Sequence, residues 1–524
     1  MASIDAEALK ARLSQAGELA LLDVREHGQY GEGHLFFAAS LPYSRFEIGL
    51  PSLVPNPAVE LILCDAGDGV AARAAKRAEA LGYRRVRDLA GGTPAWRAAG
   101  YTLYAGVNVP SKTFGELVEQ TRHTPHVTAQ QLHAMLAAGE NCVILDGRPL
   151  AEFRRMNIPG GICCPNGELA LRVGDLVRDP QAKIIVTCAG RTRSIIGAQT
   201  LIDFGVANPV FALENGTQGW SLAGLELERD ASRCHAAGAG GDLDGLRKRA
   251  RVLAAKHGVA FVGADEASAW YGEQARTTYL LDVRTSEEFA FDAVGGFVHA
   301  PGGQLVQATD QWVGVRGARL VLVDAEGVRA PVTAAWLRQL GHEACVLEGG
   351  VRAAAELEWP RPTMPTPVLP PSIAPQELSV ALQQGRVRVI DLRPGMSFRR
   401  GHIPEAQWSI RPRLEAAGRE QGKAIVLVAD EPALAALAAV DLAEAGHRDI
   451  RALAGGQEAW RASALPVAGS CDDPADADMI DFLFFTSKRH EGSAEAARQY
   501  LAWEVGLVGQ LDAQERAAFR IPGA

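Results

Sequence analysis

The chain has 524 residues, a formal net charge of −9 and 47% hydrophobic residues. That length predicts about three to five domains, and the hydrophobic fraction excludes a disordered chain. The acidic balance argues against a nucleic-acid scaffold. Eight cysteines in so long a chain are no disulfide framework, and the absence of a CxxC pair removes zinc ribbons and thioredoxin-like redox motifs.

The N-terminal stretch MASIDAEALKARLSQ carries charges throughout. No signal peptide and no membrane span are expected, and a cytoplasmic location is the default. A repeat then begins. An apolar strand ends in Asp23 and Arg25, Gly33-His34-Leu35 follows, a second strand ends in Cys64, and a helix leads to the LAGG element Leu89–Gly92 and Trp96. The second copy reads Asp146 and Arg148, then Met156–Gly160 in place of the GH element. Cys163 and Cys164, a strand ending in Cys188, the LENG element Leu213–Gly216 and Trp220 follow. The third has Asp282 and Arg284, Asp324 at the second strand end, Leu347–Gly350, and Ala354 where the others carry Trp. The fourth has Asp391 and Arg393, Gly401–Pro404, Ala429, Leu453–Gly456 and Trp460. Strand, loop, helix and strand in this order predict βαβ units around a parallel sheet with helices on both faces. The expected modules are 1–108, 124–232, 245–362 and 372–468. A Gly-rich linker starts at His235 and a Pro-rich one runs from Thr363 to Pro375. Residues 469–524 form a tail, with a helix expected from Ser493 to about Leu511 that docks on a neighbouring module or recruits a partner.

The strand-end loops diverge, and one is suited to thiol chemistry. It reads Cys188-Ala189-Gly190-Arg191-Thr192-Arg193-Ser194. A thiol attacks as its thiolate. A tight loop entering a helix aims backbone N–H groups and the positive end of the helix dipole at one point. Gly190 lets the backbone curl, and Arg191 and Arg193 supply fixed positive charge and forked donors for an oxyanion. Cys64 is a candidate second nucleophile, but Asp65 and Asp68 oppose a thiolate there. Asp146 and Arg148 read as a brace for the strand end. Cys142, Cys163, Cys164 and Cys345 read as core, with Cys163 or Cys164 a conceivable resolving thiol, and Cys234 and Cys471 as exposed bystanders.

These elements resemble four tandem rhodanese-homology domains. The resemblance implies an α/β fold of four three-layer modules with mostly parallel sheets, plus a helical C-terminal tail. It implies a sulfurtransferase in which Cys188 takes sulfur from thiosulfate, holds it as a persulfide and passes it to cyanide, a thiol or a sulfur-acceptor protein. A mercaptopyruvate donor stays open. Neither cofactor nor metal is expected, and neither nucleic acid nor membrane as partner. Two other readings stand beside it. One is a non-catalytic scaffold or sulfur-carrying protein, since three loops have lost the chemistry. The other is a phosphatase or arsenate reductase, whose C-x5-R loop would require Arg where Ser194 stands.

Overall fold

The computed structural model describes residues 2–236, 238, 241–360, 364–414 and 423–522. The expected module end at 362, the first residue of the Pro-rich linker, parts of the Gly-rich linker and both chain ends lie outside the described residues. The chain forms two compact units. One holds most of the first module, the fourth module and the tail up to Phe484. The other holds the second and third modules and the tail from Phe485.

All four modules repeat one topology. Among the described residues, each builds its own sheet from five strands in the spatial order first, fifth, fourth, second, third, and every pairing within a module is parallel; in the third module a further short strand, Val315–Arg316, lies outside this set. Ahead of the second module lies α1 (Val109–Arg122), and within the module the elements are β1 (His126–Val127), α2 (Ala129–Ala137), β2 (Cys142–Asp146), α3 (Leu150–Arg155), β3 (Ile162–Cys163), α4 (Leu169–Leu176), β4 (Lys183–Thr187), α5 (Thr192–Asp203), β5 (Val210–Leu213) and α6 (Gly216–Leu222). Successive strand residues point to opposite faces, so the sheet feeds two cores. Leu145, Ile184 and Val186 pack with α4 and α5 on one side. Ile144, Ile185 and Leu213 pack with Leu132 and Trp220 on the other. Both faces are covered, which explains why these strands read as unbroken apolar runs rather than alternating ones.

The recurrent Trp anchors the second of these cores. Trp96, Trp220 and Trp460 donate their indole N–H to the carbonyls of Thr102, Glu226 and Pro466, at 3.0, 2.9 and 2.7 Å. In the third module, where Ala354 replaces the Trp, Trp359 enters the same core from downstream and donates to the Ala354 carbonyl at 2.8 Å. The substitution is thus compensated by an aromatic ring that the repeat pattern does not place. Trp220→Ala should cost about 3–5 kcal/mol, read as a lower urea midpoint for the transition of the Cys188-bearing unit.

In the first unit, the first and fourth modules meet at Arg411, which is 2% exposed. Its guanidinium donates to Glu47 at 2.5 and 2.8 Å and to Asp441 at 3.0 Å, and lies 4.3 Å from the centre of the Tyr43 ring. The tail in this unit runs past both modules. Asp481 accepts the Gly395 N–H at 2.8 Å, and the Phe482 backbone passes so close to Gly28 that a Cβ there would stand 2.5 Å from its carbonyl oxygen.

Candidate active site

The Asp–Arg element is the same device four times. In each module the Arg folds back on the Asp two residues earlier, with its Nε and one Nη both donating to that carboxylate. In module two the distances are 2.8 and 2.6 Å, and a further Arg148 N–H reaches the Met156 carbonyl at 2.6 Å. Asp146 is fully buried and Arg148 is 2% exposed. A buried charge survives only when paired and hydrogen-bonded, and here every module meets that condition within a few residues of chain. The pair ties the end of the second strand to the loop that follows the next helix, as a brace would.

The GG-type element sets the position of the strand-end loop. Its second glycine has a left-handed φ in all four copies: Gly92 at +61°, Gly216 at +52°, Gly350 at +58° and Gly456 at +58°. A Cβ on these residues would stand 2.5, 2.2, 2.2 and 2.6 Å from the carbonyl oxygens of Asp65, Cys188, Asp324 and Ala429. Only glycine allows so close an approach. The Thr217 N–H then donates to the Cys188 carbonyl at 2.8 Å, and the Gln218 N–H to that of Ala189 at 3.1 Å. The Cys188 loop is therefore clamped by α6.

Cys188 follows β4 directly, is 2% exposed, and lies ahead of the α5 N-terminus. The Ser194 hydroxyl contacts its Sγ at 3.1 Å. What such a loop does with negative charge is visible in module three. There Asp324 stands at the aligned place, and its carboxylate accepts the N–H groups of Gly327, Val328, Arg329 and Ala330 at 2.9, 2.8, 2.6 and 3.1 Å. Four backbone donors converging on one anion make an anion cradle, and module three fills it with its own side chain. Module one does something similar one residue later, where Asp65 accepts the N–H groups of Gly67 and Ala71 at 2.8 and 2.9 Å.

Cys64 is fully buried, and burial pushes its thiol well above the usual range, with the carboxylates of Asp23 and Asp65 adding to the effect. Such a thiol is a poor thiolate.

The two arginines of the Cys188 loop are engaged by carboxylates. Arg191 forks onto Glu116 of α1, at 2.7 and 2.9 Å, and also contacts Glu119. Arg193 makes a two-pronged pair with Glu152 of α3, both contacts at 2.8 Å. The same pairing recurs without a cysteine in module three, between Arg329 and Glu288. Burial opposes the charge of Arg193, but Glu152, with a smaller contribution from Cys188, holds its pKa above the usual range. Burial pushes the Glu116 carboxyl up to about 7, although Arg191 pulls it down.

The sequence marks neither α1 nor the tail as part of this site, yet both reach it. Helix α1 crosses α5 closely, and a Cβ on Gly115 would stand 2.8 Å from the Thr192 methyl. The expected tail helix forms as α7 (Ala494–Gly506), capped by Ser493, whose side chain accepts the Ala496 N–H. It lies against the loop: Glu504 accepts the Thr192 hydroxyl at 2.7 Å and pairs with Lys112 at 3.7 Å, and Lys112 donates to the Tyr500 hydroxyl. A Cβ on Gly190 would stand 3.1 Å from both Tyr500 and Glu504. The helical pattern of α1 and α7 is readable, but nothing local marks which module each covers.

Among the described residues, no group of His, Cys, Asp or Glu could hold a metal ion, and no helix is long and apolar enough to cross a membrane. The rhodanese-like domain model matches residues 5–99, 128–223, 263–356 and 374–463, and the chain belongs to that family. It is similar over its whole length to a thiosulfate sulfurtransferase from Pseudomonas aeruginosa. The two share 41% identity, covering 99% of this chain and 100% of that one, with a TM-score of 0.91. It is also 31% identical over 109 residues to an HTH-type transcriptional regulator of Mycobacterium tuberculosis. That stretch is 21% of this chain and 47% of the regulator, so the chain spans about half the length of this curated relative.

Proposed function

We propose that the protein is a cytoplasmic sulfurtransferase with one working module, and that Cys188 is its nucleophile. The observation that carries this reading is the contrast between aligned loops. Where module three buries its own carboxylate among four backbone N–H groups, module two offers a thiol. The likeness to a thiosulfate sulfurtransferase at 41% identity supports thiosulfate as the donor.

The reaction has two displacements. The Cys188 thiolate attacks the outer sulfur of thiosulfate, the S–S bond breaks, and sulfite leaves with the bonding electrons. An acceptor, cyanide or a thiolate, then attacks the terminal sulfur of the Cys188 persulfide and the thiolate is restored. Cys188, Ala189, Gly190, Arg191, Thr192, Arg193 and Ser194 form the working loop, and Asp146 and Arg148 hold the frame behind it. Ser194 donates to the sulfur as charge develops. Ser194→Ala should slow persulfide formation about tenfold, the loss of one charge-assisted hydrogen bond, without changing the site of modification. Arg193 supplies positive charge near the thiol, and Arg191 holds the loop against α1.

A single-turnover experiment tests the reading. Mixed with excess thiosulfate and no acceptor, the protein should release one sulfite per chain in a burst. No burst with thiosulfate, mercaptopyruvate or a small persulfide would favour the scaffold, which draws its support from the three modules without such a loop.

A further inference from the structure

A pair of cysteines far apart in sequence meets on the opposite side of β2 from the Cys188 loop. After module two, residues 233–235 run alongside β3 as an added parallel strand partner. Cys163 N–H donates to the Arg233 carbonyl at 2.9 Å, and His235 N–H to the Cys163 carbonyl at 3.1 Å. Cys163 and Cys234 are direct bridge partners, so their side chains stand side by side on one face of the pairing. Strand neighbours lie about 4.8 Å apart, inside the range of about 4.4–6.8 Å that a disulfide requires between α-carbons. Both cysteines are free thiols.

Their environments differ in the way an attacking and a resolving thiol should. Cys234 is exposed and sits beside His235. Cys163 is fully buried, donates to the Arg148 carbonyl at 3.4 Å, and has the Asp146 carboxylate as its strand neighbour. The adjacent Cys163 and His235 pull the Cys234 thiol below its usual range, while the same neighbour, burial and Asp146 hold Cys163 high. Both sulfur-bearing residues and His235 line a cavity of about 490 Å3. That volume is in the range of small-molecule sites, about 300–1,000 Å3. Its walls are polar: Arg172 is paired with Glu168 and Arg284 with Asp282, and Glu287 also lines it.

We propose that Cys234 and Cys163 form a redox-active dithiol that reacts with a low-molecular-weight disulfide bound in this cavity. The Cys234 thiolate attacks one sulfur of the disulfide, that S–S bond breaks, and one small thiolate leaves. Cys163 gives up its proton to water and attacks the Cys234 sulfur, expelling the second thiolate and closing the Cys163–Cys234 disulfide. The protein is oxidised by two electrons, and the small disulfide is reduced to two thiols. This chemistry is independent of sulfur transfer at Cys188.

The test uses the full chain, oxidised glutathione as the probe, and peptide mapping after alkylation of the remaining thiols. Cys471 is also exposed, stands alone in the tail, and serves as an internal reference. Cys234 should react about tenfold faster than Cys471 and end in a disulfide to Cys163. In Cys163→Ser, glutathione should accumulate on Cys234 instead. Reaction of Cys234 no faster than Cys471, or a glutathione adduct on Cys234 that never resolves in the unsubstituted protein, would overturn the proposal. The rate comparison needs no substitution, so it stands even if the buried Cys163→Ser change impairs folding.

Discussion

Cys188→Ser should abolish sulfur transfer from thiosulfate to cyanide, a loss of at least about 10^3-fold, or roughly 4 kcal/mol of transition-state stabilisation. A serine hydroxyl in the same loop keeps the hydrogen-bond geometry but is not ionised at neutral pH and cannot hold a labile sulfur. The loss should be complete, because no other module offers a rescue. Module three carries a carboxylate at the aligned place and module four carries Ala429. Module one has a thiol, but one that burial and Asp23 keep protonated. Steady-state assay of the purified variant is the check. Residual activity within tenfold of the unsubstituted protein would move the nucleophile elsewhere.

The second large effect is expected at Arg191. Its fork onto Glu116 joins the Cys188 loop to α1, and Glu116 is 1% exposed. Removing one partner of a buried pair leaves the other charge uncompensated, at a cost of about 3–5 kcal/mol. Arg191→Ala should therefore destabilise this unit by up to that amount, approached only where Glu116 is ionised. The deficit should grow with pH. Glu116 already sits at about 7 with its arginine present, and loses a lowering influence without it. A carboxyl whose folded pKa lies above its unfolded value, about 4.3, releases its proton on unfolding. Stability then falls as pH rises between the two values. Urea titrations at pH 6 and pH 8 should show the larger deficit at pH 8.

Kinetics separates bracing from donor binding at the same residue. If Arg191 braces the loop, Arg191→Ala and Glu116→Gln should both lower kcat, with the KM for thiosulfate changed by no more than about twofold, because misplacement of the nucleophile acts on the chemical step. A raised KM in Arg191→Ala alone would instead make Arg191 a donor-binding residue.

Much of this molecule is legible from local signals because the signals are local in origin. The Asp–Arg brace spans two residues, so its fourfold recurrence can be read directly. The second glycine of LAGG, LENG and LEGG recurs because a backbone carbonyl leaves no room for a Cβ, and such a demand erases every other residue type. Cys188 stands out because its loop alone combines a thiol with two arginines.

What the sequence conceals is the partner of each charged group. Arg191 and Arg193 read as open cations, yet their carboxylates come from α1 and α3, tens of residues away. Glu504 reaches Thr192 from the far end of the chain. Trp359 fills the space left at Ala354 from a position with no counterpart in the other copies. Cys163 and Cys234 read as a core residue and a bystander, because only the added strand pairing brings them together.

The central claim is that sulfur is carried on one cysteine out of eight. Brief exposure of the full chain to thiosulfate without acceptor, followed by alkylation and peptide mass mapping of all eight cysteines, tests it most directly. The expected result is one added sulfur on the peptide containing Cys188 and none on the peptide containing Cys64. Sulfur on Cys64, or an unmodified Cys188 in a protein that has released sulfite, would contradict it.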